Sequence, residues 1–456
     1  HAKVFNRILQ QEEYNEKQLM SELKIKPSRL PNIKNYLYHR ILDTIETLNK
    51  NKTPSSEIRN LLSYAELLQH KKLFKQSQRF VQKAKTIANE TEYFGYQLEL
   101  IDMELTNGMN GADIKQIKAK RKNAFEEKSF IIKKSLNADE YEKLSIDLML
   151  AGTKYEHPQG IRESSVFKKI MNNKYFADEK KAKSVKAKID FYHLNGSYNY
   201  AIGEYRKAIQ YFRKEMDYIS SRPLRKLRFF ETYIKACNNI IACGNGILSF
   251  EKLLFFLNEI KSAIKNKTIS SGTDSTAMYY NGFLGVHVKH HRFKEALVIV
   301  EDIKDWLKVN DKVLSEGSKN HILFLMGQIY FWNGKLKESL RCINKCMPGR
   351  KTSTGLMLYP NVLLFNLVIQ YELKNYDIIE PLSLSTRRFL KKNNRISTGN
   401  EALINFIRRS PFVNSDTERH ELLKKLHAIL KQNITSAQFD FDVLTWIESK
   451  ISNRSI

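Results

Sequence analysis

The side chains best suited to chemistry in this chain are a few histidines, four cysteines and one glycine-bounded basic stretch. His287, His290 and His291 fall within HVKHHRF. Residues three or four apart share one turn of a helix, so this spacing offers two metal ligands on one face. No Glu or Cys stands nearby at ligand spacing, and the trio reads as a polar helix end. HELLKKLH holds His420 and His427 seven apart, outside the spacing that presents two zinc ligands side by side. Cys237, Cys243, Cys342 and Cys346 form no C-x-x-C pair and no disulfide framework. Buried free thiols in a reducing, cytoplasmic setting are expected. PGRKTSTG, Pro348 to Gly355, has the look of a phosphate loop. It lacks a glycine directly before its Lys-Thr and follows a helical pattern where a strand is needed. With no Gly-x-Ser-x-Gly elbow either, the chain is expected to be no enzyme and to need no cofactor or metal.

Charge is the second chemical signal. Lys and Arg number 76 against 49 Asp and Glu, a net +27. The excess gathers in runs, among them KAKRK from Lys118, KKAKSVKAK from Lys180 and RPLRKLR from Arg222. Such runs attract phosphate backbones or acidic proteins. The candidates for an anionic partner are Lys118, Lys120, Arg121, Lys122, Lys180, Lys181, Lys183, Lys186, Lys188, Arg225 and Arg228. The plainer reading is that these lysines solvate helices.

The elements that must carry these residues are helices. Gly and Pro are scarce, 18 and 9 in 456 residues, and no run of 18 apolar residues suggests a membrane span. In the stretch Asp190 to Asp217, Tyr205, Ala208, Ile209 and Phe212 share one helix face. Tyr192, Gly196 and Tyr200 lie four apart on the preceding segment, and Gly203 stands at the turn. This pattern resembles the tetratricopeptide repeat, with Tyr192, Gly196, Gly203, Tyr205, Ala208 and Phe212 on the family's signature positions. Asn199 replaces the usual Tyr, and Ser220 the closing Pro. Further copies run from Ile58, Ala277, His321 and Asn361. The equivalent small residues Ser77, Ala208, Ala296, Ser339 and Ile379 are spaced 131, 88, 43 and 40 apart. The period is therefore about 40–44 rather than 34, with 131 read as three units. Between the copies, helices are expected over 92–105, 113–127, 138–150 and 161–171, and closing helices over 418–430 and 437–451.

The expected fold is all-α, a right-handed solenoid of seven to nine antiparallel helical hairpins. Residues 1–52 form an N-terminal helical segment, 53–395 the repeat array and 396–456 the capping helices. The resemblance implies a protein- or peptide-binding scaffold whose working face is lined by the first helix of each hairpin. On the family's positions that face holds Tyr200, Asn281, Phe324, Gln328, Phe331, Phe365 and Tyr371, with Lys289 and Trp332 beside them. Phe324 and Phe365 read equally well as core.

The first fifty residues carry an alternative. Leu19, Leu23, Ile25, Leu30 and Ile33 have the apolar spacing of a helix-turn-helix, so a nucleic-acid-binding regulator is the competing reading. Against it, Met20 and Lys24 stand where a small residue and the turn Gly are usual, and Pro31 falls in the second helix. A further hairpin in step with the later repeats is the simpler expectation.

Overall fold

The computed structural model describes residues 1–11, 14–152, 163–265, 272–346, 353–393, 395–413, 415–433 and 439–452. Among them the chain is all-α, with twenty-three α-helices and no strand. No helix of the described residues is long and apolar enough to cross a membrane. The N-terminal helices are α1 (Ala2–Leu9), α2 (Glu16–Leu23), α3 (Leu30–Asn49), α4 (Pro54–His70), α5 (Phe74–Thr91), α6 (Phe94–Met109) and α7 (Ile114–Gly152). Next come α8 (Ser165–Met171), α9 (Lys174–Ala177), α10 (Val185–Ala201), α11 (Tyr205–Ser220), α12 (Pro223–Arg228), α13 (Phe230–Gly244) and α14 (Phe250–Lys265). The remainder are α15 (Thr273–Lys289), α16 (Phe293–Asn310), α17 (Glu316–Trp332), α18 (Leu336–Cys346), α19 (Ser353–Glu372), α20 (Tyr376–Lys392), α21 (Thr398–Arg409), α22 (Asp416–Asn433) and α23 (Val443–Ile451).

The chain divides into two compact units. The first comprises His1–Asn137, Ser184–Lys186 and Arg222–Arg228; the second comprises Ala138–Lys183, Ala187–Ser221 and Phe229–Ile456. In the first unit, α1, α2 and α3 share a small core of Val4, Leu19 and Leu30. A separate core of Ile58, Leu62, Ala65, Val81, Ala84, Ala88, Leu100 and Met103 joins α4, α5 and α6. Thr53 starts α4 with a reciprocal cap to Ser56, and Pro54 occupies the first turn, where its missing N–H costs nothing. The second unit holds the largest core, running from Ala277 to Ile447 through α15 to α23.

One turn recurs across both units and explains the hairpins. Lys72, Gly203, His291, Gly334 and Lys374 all have positive φ, between 57° and 80°. Each lies five residues before one of the equivalent positions Ser77, Ala208, Ala296, Ser339 and Ile379. After each, the backbone N–H of the next residue bonds a carbonyl five residues back: Leu73 to Leu68, Glu204 to Asn199, Arg292 to His287, Lys335 to Tyr330 and Asn375 to Gln370. This is the left-handed helix end that satisfies orphan carbonyls, and it fixes how the second helix leaves the first.

The helix contact downstream also recurs. Ser77 Oγ donates to the Ala65 carbonyl at 2.9 Å, and Ser339 Oγ to the Gly327 carbonyl at 2.7 Å. In both cases the partner is twelve residues earlier. At the corresponding place in the central pair, a Cβ on Gly196 would meet the Phe212 ring at 2.6 Å. Only the absence of a side chain lets α11 pack there.

Two expectations fail. The segments 113–127 and 138–150 are one helix of 39 residues, α7, because nothing between them breaks the helical period. The 131 residues from Ser77 to Ala208 therefore contain no three equal units. At the other end, the closing helix starts at Val443 and not at 437, because Asp442 caps it by accepting from the Thr445 N–H.

Candidate functional site

In the second unit, helices α13, α15 and α17 and residues 439–444 enclose a hollow of about 880 Å3. Three of the walls are first helices of hairpins. Small residues make the room: Gly282 lets Leu257 and Asn238 close in behind α15, while a Cβ on Gly285 would find no atom nearer than 4.0 Å. Tyr200 stands at the rim, 48% exposed, and Lys289 is exposed beside it. Asn281 meets His321 Nδ1 at 3.0 Å across the hollow. Gln328 and Phe324 are buried in the wall.

The last wall is non-helical chain. The Gln328 side-chain amide donates from Nε2 to the main-chain carbonyl of Asp440 at 3.0 Å. Asn361 holds the same residue twice: its Oδ1 accepts the Asp440 main-chain N–H at 3.1 Å, and its Nδ2 donates to the carboxylate at 2.7 Å. Asp440 keeps part of its surface in solvent, and partial desolvation by its neighbours raises its carboxyl pKa, against which the Asn361 bond acts. Phe441 anchors the segment by packing against Phe365, with ring centroids 5.0 Å apart. Two buried acceptors line the hollow, Gln328 Oε1 and Asn245 Oδ1, and neither has a protein donor among the described residues.

Of the nine groove candidates, the hollow gathers Tyr200, Asn281, Lys289, Phe324 and Gln328. The other four lie elsewhere. Phe331 and Phe365 are fully buried and pack together with centroids 5.3 Å apart. Trp332 stacks on Phe293 at 5.3 Å, and Tyr371 packs against Phe406 and Trp446. They fail to reach the hollow because α17 and α19 are apolar nearly all round and pack neighbours on most of their faces. Sequence reasoning missed Asp440 and the segment around it. The signal available was FDFD at 439–442, where alternating rings and acids run against the helical period.

The basic candidates do not form one set. Lys118, Lys120, Arg121 and Lys122 lie exposed on α7, where Lys120 Nζ donates to the Gly108 carbonyl and Lys122 faces Glu126 at 4.0 Å. Lys180, Lys181 and Lys183 are exposed, Lys186 is half-buried, and Lys188 pairs with Glu179 at 3.0 Å. Arg225 is buried, and Arg228 lies over the Tyr93 ring at 3.4 Å. Arg225 is thus taken up by packing, while Arg228 is half-buried against the ring.

The remaining reactive types disperse. His287 is buried and its Nδ1 lies 2.7 Å from the Phe283 carbonyl, while His291 turns away to Asp442 at 3.3 Å. Burial holds the His287 and His290 imidazoles below their ordinary range. All four cysteines are buried and none is in a disulfide, and burial pushes the Cys342 thiol up to about 11 and Cys346 to about 12. A thiol so shifted is a poor nucleophile. His427 bonds Glu448, and no group of three or more metal-binding side chains exists among the described residues. The phosphate-loop lookalike at 348–355 lies largely outside the described residues. No protein-family model matches the chain, and no curated protein matches it.

Proposed function

We propose that the chain is a non-enzymatic scaffold of tetratricopeptide-like type, and that the hollow of its second unit binds a protein segment in non-helical form. The shared turn and the shared contact twelve residues apart support a solenoid of hairpins with a period of 40–44. The observation that carries the function is the grip on Asp440. Side-chain amides from two first helices, Gln328 and Asn361, already read the carbonyl and N–H of one stretch of main chain. Sequence-tolerant recognition of peptides works through such main-chain bonds, with pockets adding selectivity. The rim offers Tyr200 for stacking, Asn281 for hydrogen bonding and Lys289 for an acidic side chain. Buried free thiols fit a cytoplasmic setting.

A displayed library of random twelve-residue peptides, panned against the full chain, tests this reading. Enriched peptides are expected to bind with affinities that fall at least tenfold in Tyr200→Ala and Asn281→Ala, with thermal stability kept. No enrichment, or enriched peptides indifferent to both changes, overturns the proposal.

A further inference from the structure

Independently of the hollow, we infer that the N-terminal three-helix segment is a duplex-DNA-reading element, with α3 as the helix that enters the major groove. Two of the three local departures from a helix-turn-helix, Lys24 and Pro31, are accommodated by the geometry; Met20 packs against the small core, and a six-residue turn, 24–29, joins α2 to α3. Lys24 takes the left-handed conformation usually given to Gly, φ 50°, and closes α2 by donating its N–H to the carbonyls of Met20 and Ser21. Pro31 lies in the first turn of α3, where no intrahelical donor is needed. The alternative, one more repeat hairpin, fits less well. The repeat pair α4 and α5 has 17 and 18 residues, whereas α2 and α3 have 8 and 20 and share their core with a third helix, α1.

The chemistry of the exposed face matches a nucleic-acid partner. Leu30, Ile33 and Leu37 face the small core. On the opposite side, at three- and four-residue spacing, Asn32, Asn35 and His39 are exposed. Asn presents a paired donor and acceptor that match the major-groove edge of adenine. The turn before α3 supplies the phosphate contacts: Lys24, Lys26, Ser28 and Arg29 are all exposed. The two acids of α2 are both paired, Glu16 with Lys34 of α3 itself at 2.9 Å and Glu22 with Arg7 of α1. In helix-turn-helix docking, the second helix sets its N-terminal residues on base edges while flanking cations hold the backbone, which is the distribution found here.

Fluorescence anisotropy with a labelled 30-base-pair duplex tests the inference on the full chain. The duplex would first be selected from a random-sequence library, and the chain compared on selected and scrambled versions at 50 to 200 mM salt. Binding is expected to weaken with salt, and Arg29→Glu with Lys26→Glu to weaken it tenfold or more on both duplexes. Asn32→Ala with Asn35→Ala is expected to cost roughly 5- to 100-fold on the selected duplex and little on the scrambled one. Because these side chains are exposed, folding is not at stake, and Lys312→Glu with Lys337→Glu controls for net charge. The inference falls if no duplex binds at 50 mM salt. It also falls if the asparagine changes leave the preference intact. Loss of binding confined to charge reversal at Lys118, Arg121 and Lys122 likewise overturns it. None of these outcomes touches the peptide-binding hollow, so the two proposals fail separately.

Discussion

Helices α3 and α17 differ by three residues in length and by almost everything else. α17 buries ten consecutive residues, Ile322 to Phe331, and belongs to a core that reaches into α23. α3 buries Leu30 alone among its described side chains and leaves Ile41, Ile45 and Leu48 exposed. An element enclosed on all sides gains stability from every contact and is fixed in place. One held at a single end keeps its faces available for something else. The first arrangement suits the wall of a binding hollow, the second a surface that must fit against a partner.

That contrast is open to mutation. Phe365→Ala removes a ring enclosed by Phe324, Phe331 and Phe441 and is expected to cost about 3–5 kcal/mol, read as a fall in melting temperature. Leu19→Ala, in the core of Val4, Leu19 and Leu30, is expected to cost about 2–3 kcal/mol locally. Hydrogen exchange separates the two. In the Leu19 variant the amides of α2 and α3 exchange faster while those of α17 stay protected. Uniform loss of protection along the chain would show that the small core is not an independent cooperative unit.

A smaller effect comes from the one buried acid in the central hairpin. Glu215 on α11 is fully buried, and its carboxylate lies 3.2 Å from His193 Nδ1 on α10. Burial raises the Glu215 pKa more than His193 lowers it. Burial alone would lower that of His193, but the Glu215 charge reverses the balance and raises it. The carboxyl and imidazole shifts are coupled, since a protonated Glu215 no longer raises His193, so the pair as a unit retains one proton more tightly folded than unfolded. The stability it confers is full at low pH and declines as pH rises from about 4.5 through neutrality, by at most about 1.4 kcal/mol per unit for that proton. Denaturation midpoints taken between pH 5 and 8 should fall with pH, and Glu215→Gln should flatten that slope. A slope unchanged in the variant removes the pair from the account.

The smallest effect concerns the recurring turn. A methyl group placed on Gly334 would meet no atom within 4 Å, so Gly334→Ala costs only backbone strain, about 1 kcal/mol. Lys374 holds the same conformation with φ 57° while carrying a side chain. Lys374→Gly is expected to raise stability by about the same amount in chemical denaturation. Equal loss in both variants would mean that the lysine side chain contributes through its contacts.

These turns also show how much was legible in the sequence. Gly203 and Gly334 announced two of the five turns, and the helical period announced the hairpins around them. Lys72, His291 and Lys374 give no such sign, because the fold forces their conformation against local preference. The hollow was half legible for a similar reason. Positions taken from the repeat pattern found Tyr200, Asn281 and Gln328 because those residues lie where a first helix borders the concavity. The same rule also picked Phe331 and Phe365, whose rings are enclosed by neighbouring helices, as the core reading of Phe365 allowed. FDFD at 439–442 marked a break in the helical period, but the role of Asp440 could not be read from it, since its partners lie 79 and 112 residues away.

That long reach has a consequence in time. During synthesis Gln328 leaves the ribosome 112 residues before Asp440, an interval of about 5 to 20 seconds at ordinary translation rates. Throughout it, α13, α15 and α17 can pack while their shared concavity stands open on one side. The nascent chain thus passes through a stage in which any other segment that reaches the gap would compete with its own unfinished wall.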